Sequence, residues 1–197
     1  MLSTSTPPTP PHLLPLGTGA LSTLRKGGLV LLPTSNLWQL VTDARQPAAV
    51  RRLTGACRGG SANCPELVFA DRESLLAWFP NFHPKLDTLL SYHGRTVTMF
   101  TPATNMVPSV MVNERDEVAV RLALDSFCYR LCQDLEAPLA AVLAMPPGAK
   151  DLPTRFGKVR SDLLQLADYT VQRRQREELD SAPAVRVRMD EDQLEFL

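Results

Sequence analysis

The sequence lacks a net charge and lacks any long apolar run. Lysine and arginine total 21, aspartate and glutamate also total 21, and the formal net charge is therefore +0. A chain without a net field is not drawn as a whole towards nucleic acid or a membrane surface, so any basic surface must be local. No stretch approaches the ~18 consecutive apolar residues of a membrane-spanning helix, so we expect no membrane partner.

Metal and redox ligands are also scarce. The 4 cysteines include no Cys-x-x-Cys pair and follow no secretory leader, so we expect reduced thiols in a cytoplasmic protein. The 3 histidines, His12, His83 and His93, are scattered, and we expect no metal site. Cys128 and Cys132 lie four residues apart on one helical face, where packing as small hydrophobic side chains is favoured over a pair of soft metal ligands.

The common catalytic and phosphate-binding motifs are absent. The sequence contains no Gly-x-Gly-x-x-Gly, no Walker loop, no Gly-x-Ser-x-Gly and no His-Glu-x-x-His. Cys57 lies beside Arg58, and a neighbouring cation can lower a thiol pKa enough to make the thiolate reactive. No general base accompanies it in the sequence, so an inert loop cysteine is the favoured interpretation.

Composition divides the chain into a tail and one domain. Residues 1–17 are rich in proline, serine and threonine and carry too few apolar residues to offset the entropy of ordering, which predicts a flexible tail. Residues 18–197 are enough for one domain with a substantial core and too few for two ordinary domains.

A short apolar run near the start of this domain predicts a central strand. Residues 29–32 are unbroken by polar side chains, as in strands that are covered on both faces. Pro33 cannot donate a ladder hydrogen bond, so the strand is expected to end there and to continue into a polar loop that begins with Thr34. Ligands of open α/β sheets bind beyond the carboxyl ends of strands, so this loop is a candidate binding segment.

The remaining apolar patterns predict a mixed α/β protein of the α+β type. Helices are predicted at residues 21–26, 47–53, 72–79, 84–93, 126–135 and 158–167. Further strands are predicted at residues 66–70, 95–100, 107–112, 118–122, 138–145, 185–189 and 194–197. Helices and strands interleave without a strict βαβ repeat, which favours a mixed sheet over a doubly wound one.

The order of several segments resembles that of a known family. The segments are a glycine-led strand with a Pro-Thr loop (28–40), a Cys-Arg loop (56–58), a Gly-x-Thr strand (93–98), a Val-Arg strand (118–122), a helix with a Pro-Leu strand (127–139), an apolar turn (143–148) and a late strand (181–185). Together, from about residue 20 to 197, they resemble the YrdC-like domain of threonylcarbamoyl-adenylate synthases. The resemblance implies a single twisted, mixed, open sheet flanked by helices.

The resemblance also implies a chemistry and a set of binding residues. Family enzymes join threonine, bicarbonate and ATP into an acyl-adenylate for tRNA modification and release pyrophosphate. ATP and Mg²⁺ are therefore expected if the chain is active, and no tightly bound cofactor is expected. The family positions that keep a suitable side chain are Thr34, Arg58, Thr98, Arg121 and Ser181.

The departures from the family pattern fall where phosphate charge would be held. The degenerate positions are Ser35, Asn36, Ala56, Leu143 and Met145. Loss of one preorganised donor to a developing charge costs about 10²- to 10³-fold in rate. We therefore expect a divergent member with weak or no synthase activity, reduced to binding a nucleotide, tRNA or double-stranded RNA.

Several of these residues have a structural interpretation as well as a functional one. Thr34 is either a ligand contact or a hydroxyl that caps its loop. Arg121 lies within an apolar strand, where it must pair with an acidic residue or reach a carboxylate ligand. Trp38 is expected to pack rather than to stack on a base. The basic run at residues 173–176 is followed by Glu177 and Glu178, which indicates self-neutralised surface charge.

Three functions therefore stay open on sequence grounds. The first is a ligand- or RNA-binding relative of the synthases, with Arg58, Arg121 and Arg51 or Arg52 as phosphate contacts. The second is an enzyme, an L-threonylcarbamoyladenylate synthase with an unusual phosphate site or one acting on another substrate. The third is a scaffold that binds a protein partner through an apolar cleft around Leu143 and Met145.

Overall fold

One mixed sheet organises the part of the chain described by the computed structural model, namely residues 17–56, 65–92, 95–145, 152–179 and 184–197. Its strands are β1 (Val30–Pro33), β2 (Trp38–Asp43), β3 (Glu66–Phe69), β4 (Val97–Pro102), β5 (Glu117–Leu122), β6 (Leu139–Leu143), β7 (Tyr169–Thr170), β8 (Val185–Asp190) and β9 (Gln193–Phe196). The strand order is β7-β1-β2-β6-β3-β5-β4-β8-β9. Parallel pairs (β1–β7, β3–β5 and β4–β8) occur among antiparallel ones, which confirms the predicted mixed α/β sheet.

Helices cover both faces of this sheet. They are α1 (Thr18–Arg25), α2 (Pro47–Ala56), α3 (Arg72–Trp78), α4 (Pro84–Tyr92), α5 (Ser126–Leu135) and α6 (Ser161–Leu166). On one face, α1 and α5 pack on a core that includes Val41 and Val68. On the other, α2, α3, α4 and α6 pack on a larger core around Leu40 and Leu67. None of the helices described is long and apolar enough to cross a membrane.

Strand β2 corrects the prediction of a polar loop after Pro33. The chain turns back at residues 34–37 and pairs with β1 in an antiparallel hairpin, with Pro33 opposite Trp38. Trp38 and Leu40 join one core while Val41 joins the other, and all six residues of β2 are buried. Successive residues of β2 therefore face opposite sides of the sheet, as in a strand that is packed on both faces.

The predicted strand at residues 107–112 is wrong. Pro108 precedes a single 3₁₀ turn at Ser109–Met111, and Val107 and Met111 are buried four residues apart. The spacing of Val107 and Met111 is that of a helical turn. The valine-rich composition of residues 107–112 had instead suggested a strand. The predicted helix at 158–167 is likewise divided into a 3₁₀ turn (Phe156–Lys158) and α6.

Short elements and the tail complete the comparison with the prediction. Strand β7 was not predicted, because two residues are too few to show a periodic pattern. Residues 1–16 of the predicted tail lie outside the described residues, whereas Gly17, the last residue assigned to it, is the N-cap of α1.

Candidate functional site

A cavity of about 220 Å³ lies over the centre of the sheet. Gln39 and Glu66 are two residues before Val41 and Val68 in their strands, so all four point to the face that α1 and α5 partly cover. The cavity is lined by Asn36, Leu37, Gln39, Glu66, Thr96, Thr98, Arg121, Val142, Leu143, Leu152, Ala184 and Arg186. Its lining residues come from β3 and from strands on both sides of it, with β2 and β6 on one side and β5, β4 and β8 on the other.

The floor of this cavity contains a hydrogen-bonded charge network centred on Glu66. The Nε of Arg121 donates to Oε1 of Glu66 at 2.7 Å, and Nη2 of the same guanidinium donates to Oε1 of Gln39 at 2.6 Å. The amide nitrogen of Gln39 donates in turn to Glu66 at 2.7 Å, and the Thr98 hydroxyl donates to the second carboxylate oxygen at 3.0 Å. One carboxylate thus holds three side chains from three other strands. We call this set, Gln39, Glu66, Thr98 and Arg121, the Glu66 network.

The network keeps both of its charged groups ionised. Burial alone would raise the pKa of Glu66, but the charge of Arg121 and the hydrogen bonds from Gln39, Arg121 and Thr98 hold that pKa below its ordinary value of 4.5. Burial would lower the pKa of Arg121, whereas the charge of Glu66 and the hydrogen bond to it raise that pKa. Arg121 is only 2% exposed and Glu66 14%, so the ion pair is largely shielded from water.

A second guanidinium lies at the rim of the cavity. Arg186 is opposite Thr98 in the parallel pairing of β4 and β8. Its guanidinium carbon lies 5.3 Å from the centre of the Phe100 ring, a cation–π distance that holds the side chain against the sheet. On the same side, the Thr96 and Ser35 hydroxyls are 3.4 Å apart. The polar side of the cavity therefore carries two guanidinium groups and one carboxylate.

The lining of the cavity also includes apolar residues. These are Leu37, Val142, Leu143, Leu152 and Ala184. Leu143 is the last residue of β6 and pairs with Gln39, so an aliphatic side chain stands directly beside the polar network. The site therefore combines charged and aliphatic side chains.

The structure places the predicted binding residues in different environments. Thr98 and Arg121 line the cavity, whereas Thr34 is outside its lining. The Thr34 hydroxyl donates to the Leu37 carbonyl at 2.8 Å and thereby closes the turn of the β1–β2 hairpin, as its structural interpretation predicts. Arg58 and Ser181 lie outside the described residues, so their roles stay predictions.

The degenerate family positions are also divided. Asn36 and Leu143 line the cavity, and Ser35 contacts the lining residue Thr96. Ala56 is instead the last residue of α2, and its carbonyl accepts a hydrogen bond from Arg160 at 3.1 Å. Met145 is 2% exposed and is not among the residues that line the cavity.

Gln39, Glu66 and Arg186 were not predicted as site residues. Sequence reasoning placed Gln39 in a loop and treated Glu66 only as the start of a strand. The signal available in the sequence was Arg121, because an arginine inside an apolar strand requires an acidic partner. Glu66, at the start of another apolar strand, was a candidate for that partner. The ion-pair interpretation of Arg121 is the one present in the structure.

Other candidate groups are structural. Cys128 and Cys132 lie on the buried face of α5, and burial raises the pKa of both thiols, that of Cys132 to about 12. Trp38 is fully buried, and its ring centre is 5.0 Å from that of Phe156. Among the residues described, no three histidine, cysteine, aspartate or glutamate side chains converge as metal ligands.

Comparison of the whole chain with known proteins agrees on one family. The family model Sua5_yciO_yrdC, described as Telomere recombination, matches residues 22–194. A threonylcarbamoyl-AMP synthase of Xanthomonas euvesicatoria is 32% identical over 129 residues, covering 64% of this chain and 68% of the relative. The enzyme of that name from Xanthomonas oryzae is 32% identical over 137 residues, covering 68% and 72% respectively.

Solved structures share the fold at lower identity. E. coli YciO superposes with a TM-score of 0.77 at 17% identity, covering 91% of this chain and 86% of that one. P. abyssi Sua5 complexed with L-threonine superposes with a TM-score of 0.74 at 23% identity, covering 90% and 52%. The chain therefore spans about half the length of the archaeal protein and most of the length of the bacterial one.

Proposed function

Because this chain belongs to the Sua5/YciO/YrdC family, we propose that it is a divergent relative of the threonylcarbamoyl-AMP synthases that keeps their ligand cleft but has weak or no synthase activity. The cavity over the Glu66 network is the proposed binding site. Its proposed ligands are a small amino acid and an ATP-class nucleotide with Mg²⁺.

The observation that carries this proposal is the internal pairing of Arg121. Formation of an acyl-adenylate moves negative charge onto the departing pyrophosphate, and catalysis requires fixed cations and donors at that point. Here the Nε and Nη2 groups of Arg121 already bind Glu66 and Gln39. The side chain of the neighbouring Leu143 has no hydrogen-bond donor. An anion that takes the place of Glu66 as the partner of Arg121 must first displace a buried carboxylate.

A small ligand fits the described surface better than RNA does. Several arginine residues outside the cavity lie in ion pairs with acidic neighbours: Arg52 with Asp168, Arg72 with Asp87, Arg155 with Glu178, and Arg160 with Asp162. Phosphate contacts by these residues would first have to break those pairs. We therefore propose a small-molecule ligand rather than tRNA or double-stranded RNA.

The test is threonine-dependent release of pyrophosphate. Folded protein is incubated with ATP, Mg²⁺, bicarbonate and L-threonine, and a parallel reaction omits threonine. We expect threonine-dependent release to be absent or at least about 100-fold slower than that of the Xanthomonas euvesicatoria synthase under the same conditions, while ATP binding is measurable by calorimetry. Release at a comparable rate that requires threonine and falls in Arg58→Ala would overturn the proposal.

An active synthase is the second candidate function. Identity of 32% over 137 residues to a curated threonylcarbamoyl-AMP synthase favours it. In that case the phosphate site would use residues other than Leu143, and Arg121→Gln would lower kcat while leaving the ATP Kd nearly unchanged. If the chain is instead a divergent relative with little or no activity, kcat should be very low in both the wild type and Arg121→Gln.

A further inference from the structure

The outer edge of the sheet carries an exposed strand, far along the strand order from the centre of the cavity. Strand β9 is the last in that order, and among the described residues it pairs with β8 alone. We infer that β9 pairs antiparallel with β9 of a second copy of this chain, which makes a two-fold symmetric dimer with one continuous sheet. This inference concerns a protein interface and does not depend on the proposed function.

The hydrogen-bonding pattern of the β8–β9 hairpin decides which backbone groups of β9 face outwards. The Leu197 N–H donates to the Arg186 carbonyl at 2.9 Å, so residues 193, 195 and 197 direct their backbone groups towards β8. Positions alternate along an antiparallel pair, so Leu194 and Phe196 direct their N–H and C=O groups away from β8. Both residues therefore offer a donor and an acceptor to another strand.

The side chains at this edge are apolar and exposed. Phe196 is 64% exposed and Leu197 52%, the highest values among the large apolar side chains described. Edge strands of natural proteins are commonly protected by lysine, proline or a bulge, and residues 193–197 contain neither lysine nor proline. An edge with exposed apolar side chains and without such protection is suited to pairing with another chain.

The hairpin that presents β9 is fixed in advance. Glu191 and Asp192, the two residues of its turn, have φ of 42° and 68°, as in the tight type I′ turns of two-residue hairpins. At the start of α4, His83 Nε2 and Lys85 Nζ each lie 3.2 Å from the Asp192 carboxylate. A strand that is held in this way loses little freedom on association.

One register makes this edge complementary to itself. With Glu195 opposite Glu195 of the second copy, Leu194 lies opposite Phe196 on both sides of the two-fold axis, and their outward backbone groups bond to each other. Leu194 packs against the core around Leu40, and Phe196 is opposite Val187 of that core, so both side chains point to the same face. Phe196 of each copy therefore packs on Leu194 of the other as an apolar cross-strand pair.

The other face of this interface is balanced in charge. Glu195 is opposite Arg188, whose Nε lies 3.8 Å from its carboxylate and has no hydrogen-bond partner in the described part of the chain. Arg188 also lies 3.7 Å from Glu117, and Arg186 adds a second guanidinium on the same face, over the Phe100 ring. These arginine residues offset the repulsion between the Glu195 side chains of the two copies. A second copy therefore matches both the apolar and the charged face of the edge.

The test is sedimentation equilibrium of the full chain over a range of concentrations. We expect the average mass to rise from that of one chain to that of two between about 1 µM and about 1 mM. A mass that stays at one chain at about 1 mM would overturn the inference, whatever other strand or protein covers this edge.

Variants of Phe196 assign the dimer to this edge. Because the Phe196 N–H points away from β8, Phe196→Pro removes a donor of the interface and leaves the β8–β9 ladder intact. We expect it to raise the dimer Kd at least about 10-fold, through the lost hydrogen bonds and the lost aromatic side chain. Phe196→Ala keeps the N–H and should raise the Kd less. Met106→Ala, at a side chain that is 48% exposed and outside the sheet, should leave the Kd unchanged. An unchanged Kd in folded Phe196→Pro would contradict the inference.

Disulfide trapping tests the register. Cys57 and Cys64 are replaced by serine, which leaves only the buried thiols of α5. Glu195→Cys places one thiol of each copy beside the two-fold axis, where opposite Cα atoms lie about 4.5 Å apart, within the range for a disulfide. Gln193→Cys is the matched control on the same strand and face, because its two copies would lie about 14 Å apart. We expect oxidation with diamide to link the Glu195→Cys chains and not the Gln193→Cys chains. Equal linkage of both variants, or no linkage of Glu195→Cys, would overturn the inference.

Discussion

At the scale of single residues, the ion pair of Glu66 and Arg121 is the main electrostatic feature of this cavity. A guanidinium that is 2% exposed has lost nearly all of its hydration, so it depends on the carboxylate and amide oxygens around it. The same pairing removes it as a ready binding group for phosphate. One residue pair therefore connects the stability of the sheet with the expected loss of catalysis.

Removal of the carboxylate should be strongly destabilising. Glu66→Ala leaves Arg121 as a buried, unpaired charge, a change that typically costs about 3–5 kcal/mol in free energy of unfolding. Urea unfolding followed by circular dichroism measures this loss. Glu178→Ala is the control, because it breaks the exposed pair with Arg155, and its effect should be small. Similar losses in the two variants would show that the buried pair has no special role.

Acid should remove the contribution of Glu66. The folded-state pKa of Glu66 lies below its ordinary value of 4.5, so the carboxylate stabilises the fold above that pH and loses its contribution as the pH falls through the lowered pKa. The difference in unfolding free energy between wild type and Glu66→Gln should be constant from pH 7 to 5 and shrink below pH 4.5. Urea midpoints at several pH values test this. A difference that is unchanged at pH 3 would contradict it.

The two buried thiols should resist alkylation. Burial raises the pKa of Cys132 to about 12 and that of Cys128 as well, so both are neutral at pH 8. With Cys57 and Cys64 replaced by serine, reaction with iodoacetamide should be at least about 100-fold slower in the native chain than in urea. Mass spectrometry of the labelled chain follows the rate. Equally fast labelling in both states would show that α5 does not cover these thiols.

At the scale of helices and strands, local signals fix the ends of elements. Asp71 accepts a hydrogen bond from the Ser74 backbone at 2.8 Å, and the Ser74 hydroxyl accepts one from the Asp71 backbone, which completes a capping box at the start of α3. Such a cap satisfies backbone donors that the helix itself leaves without partners. The sequence analysis predicted the start of α3 to the residue, from its apolar pattern and without using this cap.

Loss of this cap should have a moderate effect. Asp71→Ala removes the side-chain acceptor and should lower the free energy of unfolding by about 1 kcal/mol, within the range of 0.5–2 kcal/mol for such caps. Asp71→Asn keeps an acceptor oxygen and should lose much less. Thermal and urea unfolding of the two variants measure the difference, and equal losses would argue against capping as the cause.

Elements with a local signature were predicted, whereas those defined by distant contacts were not. Helix α5, with Asp125 as its cap and a regular apolar stripe, was predicted over the residues it occupies. Strand β2 was missed, because its pairing with β6, about 100 residues later, is what buries its polar Gln39. The Val107–Val112 run was assigned to a strand because its composition suggested one.

The same reasoning explains why the site was only partly predicted. Arg121 and Thr98 were predicted because the resemblance assigned them to binding positions of the family. Glu66 is 55 residues from Arg121, and Gln39 is 82 residues from it. Neither partner carries a local signal of that contact. The sheet order, in which β2, β3, β4 and β5 meet around one carboxylate, had to be known first.

At the scale of the whole molecule, the sheet of the family is retained at low sequence identity. The fold superposes on relatives with TM-scores of 0.73 to 0.77 at identities of 17–23%. The sheet therefore tolerates wide replacement of side chains. The central face of the sheet in this chain carries the buried ion pair of Glu66 and Arg121 beside aliphatic residues such as Leu143.

The most direct measurement of this account is the amount of threonylcarbamoyl-AMP formed per protein molecule, compared with the Xanthomonas euvesicatoria synthase under the same conditions. Both proteins receive ATP, Mg²⁺, L-threonine and bicarbonate, and the product is quantified by mass spectrometry. We predict a rate at least about 100-fold lower for this chain, from the loss of at least one preorganised donor. Formation of the product at a comparable rate would contradict the account.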